Sequence, residues 1–117
     1  LVVREVYLEA FFGGKVADEV KTRVQKQLKR HITAFGQIAS FSPYIAGSEF
    51  TMADCAATVH LPLIGMETKA IYGEDMMAAY PVRDYMKLVG ERPTVKKVTE
   101  DRKANAAELA ERIKSRS

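Results

Sequence analysis

The chain has 117 residues, of which 47% are hydrophobic and 28% charged, and its formal net charge is +3. That composition supplies a core for one domain and excludes a chain disordered by composition. No apolar run approaches the roughly 20 residues of a bilayer-spanning helix. A single cysteine, Cys55, excludes an internal disulfide and any multi-cysteine metal cluster, as fits a reducing, cytoplasmic setting.

Residues 1–12 read as a helix, apolar at 2, 3, 6, 7, 8, 10, 11 and 12, and Gly13-Gly14 ends it. Leu1 and Val2 already belong to that apolar pattern, so the chain is expected to be the C-terminal portion of something longer. Residues 15–40 form the clearest periodic segment. Val16, Val20, Val24, Leu28, Ile32, Phe35 and Ile38 recur at three- and four-residue steps, which makes one apolar stripe of a long helix. The same segment holds six basic residues against two acidic ones. These fall mainly between the apolar positions, as on a solvated face, and no nucleic-acid-binding motif accompanies them. Nucleic acid is therefore not an expected partner.

The stretch "FSPYIAG", residues 41–47, carries Pro43 and Gly47 and reads as a loop. Residues 52–66 show no polar face, which predicts a helix buried on all sides, with a bend or an early end near Pro62. Residues 67–81 read as a short helix and a turn. Pro81 then opens a helix that ends at Gly90, Pro93 opens a short one over 94–103, and a last alanine-rich helix covers about 104–114. The fold class is all-α, a multi-helix bundle around a buried central helix.

The start of that central helix carries a recognisable pattern. Thr51 as N-cap can accept from the backbone N–H of residue 54, and Asp54 can reach back to the N–H of Thr51, which together form a capping box. Phe50 before the cap can pack on Cys55 as a hydrophobic staple. Asp54, Cys55 and His60 lack the spacing of a metal site, and Cys55 with His60 lacks that of a nucleophile pair. His60 and His31 read as histidines of a helical core and its margin. No catalytic residue and no metal ligand is expected.

With those residues in view, "SPYIAGSEFTMADCAA" followed by "PVRDYMKLVGERPTVKKV" resembles the C-terminal helical domain of cytosolic glutathione transferases. The resemblance covers residues 1–103 of a single 1–117 domain and leaves 104–117 as a helical tail. It implies that the thioredoxin-like half, which binds glutathione as co-substrate and carries the sulfur-activating residue, is absent from this chain. The chain alone is then expected to bind no glutathione and to be inactive. The resemblance further implies part of a hydrophobic pocket for a small electrophile, lined by Tyr7, Phe11 and Met66, and a share of a homodimer interface in a cytoplasmic enzyme. The alternative it leaves is a non-catalytic helical module that binds other proteins.

Overall fold

The computed structural model describes residues 1–116, and its elements are all helices. In chain order these are α1 (Val2–Glu5), α2 (Tyr7–Phe12), α3 (Asp18–Ile38), α4 (Met52–Tyr72), α5 (Val82–Gly90) and α6 (Pro93–Arg116). The chain divides into two units, the first Leu1–Tyr85 and the second from Met86 onward, with the boundary inside α5.

In the first unit, the single helix expected over 1–12 is broken. Val6 takes φ −125° and ψ −6°, outside the helical range, and separates α1 from α2. Its side chain is 1% exposed and joins Val2, Val24 and Leu28 in the core. Burial of this β-branched residue thus accompanies a break that helical periodicity gives no reason to expect. The pair Gly13-Gly14 ends α2 as the sequence predicts. Gly13 sits at φ +67°, a region L side chains rarely adopt, and Gly14 N–H donates to the Leu8 carbonyl at 3.2 Å.

The turn into α3 is fixed by Glu9, whose carboxylate accepts from Val16 N–H at 2.8 Å and from the Lys21 ammonium at 3.1 Å. These donors, the Val16 amide first, hold the Glu9 carboxyl below its usual range. Along α3, Val24 and Leu28 are buried in the core cluster, and Val20 and Ile32, with Val16 just before the helix, pack against that cluster. Tyr72 at the end of α4 ties the two long helices together by donating its hydroxyl to the Lys21 carbonyl at 2.8 Å. Tyr72→Phe removes that bond and leaves the ring in place. It is expected to lower stability by about 1 kcal/mol, read from the urea midpoint at unchanged slope.

The helix expected over 52–66 runs on to Tyr72, past Pro62, where an early end or bend was anticipated. Buried Ala57 and Leu61 before the proline and buried Thr68 after it hold the segment helical despite the missing donor. Residues 67–72, expected to form a separate short helix, continue the same helix as far as Gly73 at φ +74°. Thr68 pins this last turn: its hydroxyl donates to the Ile64 carbonyl at 2.8 Å and accepts from Met76 N–H at 3.1 Å.

The surroundings of α4 depart from the sequence expectation. Its buried residues are Asp54, Ala57, Leu61, Glu67 and Thr68, three of them polar. Met52, Val59 and Met66, seven apart and so on one face, are 83%, 45% and 55% exposed. The helix is therefore buried on one side and apolar on its outer side. An all-round apolar sequence did not reveal that its few polar residues would face inward.

In the second unit, one helix replaces the two expected over 94–103 and 104–114. Pro93 opens it, and no breaker follows. Its charged residues form exposed pairs one turn apart: Lys97 with Asp101 at 2.8 Å, Arg112 with Glu108, and Lys114 with Glu111 at 3.3 Å. Such pairs each stabilise an isolated helix by about 0.2–0.5 kcal/mol. Residues 100–116 are solvent-exposed throughout.

Candidate functional site

Thr51 stands in extended backbone at φ −129° and ψ 179°, where an N-cap belongs, and its hydroxyl accepts from Ala53 N–H at 3.2 Å. Asp54 Oδ2 accepts from Thr51 N–H at 2.9 Å, so the capping box forms. Phe50 sets its ring edge against Tyr44, with centroids 5.8 Å apart, and Cys55 is solvent-exposed.

Asp54 does more than cap. Its Oδ1 accepts from Ile45 N–H at 3.0 Å and from the Tyr85 hydroxyl at 2.7 Å. The carboxylate is 0% exposed. It therefore joins three separate pieces of chain: the 41–47 loop, the start of α4 and the first turn of α5. Burial alone would raise its pKa, but the amides of Ile45 and Thr51 and the Tyr85 hydroxyl outweigh that and hold it below the ordinary value. Burial and this bond push the Tyr85 phenol well above its ordinary range.

Around this junction lies an aromatic cluster. Phe41 meets Phe35 at 6.1 Å, Tyr80 at 6.5 Å and Tyr85 at 5.5 Å between ring centroids. Phe41 stands at φ 49°, unusual for a non-glycine residue, with its ring among these three neighbours. Tyr80 donates its hydroxyl to the Ile32 carbonyl at 3.1 Å.

The residues expected to line an apolar pocket fall in two places. Tyr7 and Phe11 are in contact, with centroids 4.9 Å apart, and Phe12, which the sequence reading passed over, joins them at 5.4 Å from Tyr7. Phe11 is 42% and Phe12 51% exposed, so α2 presents an aromatic face to solvent. Met66 lines a shallow groove of about 170 Å³ with Leu61, Pro62, Gly65, Lys69, Asp75, Met77 and Val82. Neither Tyr7 nor Phe11 lines that groove.

His60 and Cys55 share the exposed side of α4. Among the described residues, no group of three or more His, Cys, Asp or Glu side chains is arranged to hold a metal ion. None of the described helices is long and apolar enough to cross a membrane. The sequence carried no signal for Ile45 or Tyr85 as Asp54 partners. A tyrosine on the buried stripe of α5 was visible, but its pairing across 31 residues was not.

The sequence is similar to known proteins. The family model for the glutathione S-transferase C-terminal domain matches residues 18–88. A relative from Pseudomonas putida named glutathione S-transferase is 28% identical over 116 residues, which is 98% of this chain and 53% of the relative. The chain thus spans about half the length of that relative. The family match takes in α3, the capped helix α4 and most of α5, more than half of all residues, and on that ground the chain belongs to the glutathione S-transferase C-terminal domain family.

Proposed function

We propose that this chain is the electrophile-binding helical half of a glutathione transferase, and that its glutathione site lies in a thioredoxin-like domain outside these 117 residues. The carrying observation is the relationship along 98% of the chain to a protein named glutathione S-transferase. Two surfaces support the reading. The aromatic face of Tyr7, Phe11 and Phe12 offers apolar area for a hydrophobic electrophile. The outward face of α4, with Met52, Val59 and Met66, is apolar surface of the kind that a second domain covers.

In this reading the other domain lowers the pKa of the glutathione thiol, and the helical half holds the electrophile where the thiolate can attack. The chain by itself conjugates nothing. The complete protein works as a cytoplasmic homodimer.

The test uses the complete gene product. It is expected to be retained on immobilised glutathione and to conjugate glutathione to a chloronitrobenzene. Phe11→Ala should lower kcat/KM for that electrophile by up to about tenfold, the equivalent of partial loss of one aromatic contact, while KM for glutathione stays unchanged. A complete protein that neither binds glutathione nor turns over an electrophile, but is recovered with a partner protein, would establish the alternative of a non-catalytic helical interaction module.

A further inference from the structure

Glu67 is 0% exposed, and neither of its carboxyl oxygens has a hydrogen-bond partner. Buried polar groups are ordinarily satisfied, and a buried charge is ordinarily paired. Glu67 sits in the inward stripe of α4, one turn from Ile64 and Ile71, and both of these pack on the core cluster of Val2, Val6, Val24 and Leu28. The short helices α1 and α2 both lie against α4.

The charged groups on these packed elements are engaged elsewhere or exposed. On α1, Glu5 pairs with Arg23 of α3 at 3.0 Å, and Arg4 is exposed. On α2, Glu9 pairs with Lys21 of α3 at 3.1 Å, and Lys21 also meets Asp18 at 3.2 Å. The other α3 charges, Glu19, Lys26, Lys29, Arg30 and His31, are exposed, as are His60 and Lys69 on α4 itself and Glu74 and Asp75 beyond it.

We propose that Glu67 is a pH-sensitive latch: as a neutral carboxyl it lets α1 and α2 close on α4, and on losing its proton to water it loosens that packing and releases residues 2–12. Burial drives this carboxyl above the usual carboxylate range. The sign of the coupling follows. Above the ordinary carboxylate value the unfolded chain has lost this proton and the folded chain keeps it. The stability this adds is complete in acid and disappears as pH rises through the raised pKa.

The test compares the chain with Glu67→Gln, which keeps the shape and cannot ionise. In the wild-type chain the urea midpoint is expected to fall as pH rises above the ordinary carboxylate value, and amide protection of residues 2–12 to fall with it relative to α3. In Glu67→Gln the part of that fall due to Glu67 should be absent, whatever the absolute midpoint, since every other titratable group is common to the two proteins. Carbon-13 titration of the Glu67 carboxyl in the wild-type chain decides the matter if the variant does not fold. Equal pH slopes in the two proteins, or a Glu67 carboxyl titrating at the ordinary glutamate value, would overturn the latch.

Discussion

Asp54→Ala is expected to destabilise the first unit by about 3–5 kcal/mol, seen as a lower urea midpoint at unchanged slope. A missing cap alone typically costs about 1 kcal/mol. Here the carboxylate also serves Ile45 N–H and the Tyr85 hydroxyl in a setting that is 0% exposed. Its removal strands three donors, and each unsatisfied buried group costs about 1–3 kcal/mol. Tyr85→Phe separates the contributions. It removes one donor, leaves the carboxylate with its two amides, and should cost about 1–2 kcal/mol.

The network also sets an acid limit. The folded Asp54 carboxyl lies below its unfolded value of 3.8, so its stabilisation is present above that value and is lost as pH falls through the lowered one. Asp54→Asn should remove that acid limb as well as lowering the midpoint. An Asp54→Ala midpoint within about 0.5 kcal/mol of wild type, the range of ordinary surface changes, would mean that the carboxylate does not join the loop, α4 and α5 as described.

The difference between these magnitudes and those a cap alone predicts marks where the sequence stops being legible. Thr51 and Asp54 are three residues apart, so their bonds follow from local helix geometry and can be read directly. Ile45 and Tyr85 lie 9 and 31 residues from Asp54, and only the packing of loop and helices brings them in. The same division runs through the fold. The periodicity of α3 and the proline starts of α5 and α6 are local signals, and the structure keeps them. The break at Val6 and the run of α4 through Pro62 to Tyr72 depend on tertiary burial, which overrides propensity.

The polar residues of α4 mark a further limit of what the sequence shows. A composition rule sends polar residues of an apolar helix outward, yet Asp54, Glu67 and Thr68 are the inward ones. Asp54 and Thr68 have partners that explain their burial, and Glu67 has none. For the aromatic face, the four-residue spacing of Tyr7 and Phe11 was legible, while the contact of Phe12 needed the actual turn of α2.

Gly36 carries the second large effect, and its sign is the test. It sits inside α3, where an exposed glycine-to-alanine change normally stabilises a helix by up to about 1 kcal/mol. A Cβ built there, however, would overlap the Tyr80 hydroxyl and lie 2.5 Å from two of its ring carbons. The ring cannot simply swing away. Its hydroxyl is bonded to the Ile32 carbonyl, and its ring meets Phe35 at 6.4 Å and Phe41 at 6.5 Å between centroids. Gly36→Ala is therefore expected to destabilise by about 2–3 kcal/mol, the result of overpacking and a lost hydrogen bond outweighing the helical gain. In a Tyr80→Ala background the obstacle is gone, and the same substitution should become stabilising by up to about 1 kcal/mol. The two urea midpoints thus move in opposite directions in the two backgrounds, a coupling that a double-mutant cycle measures directly. A glycine kept only for flexibility would shift both midpoints the same way, and that outcome would remove the packing of Tyr80 on α3 as its reason.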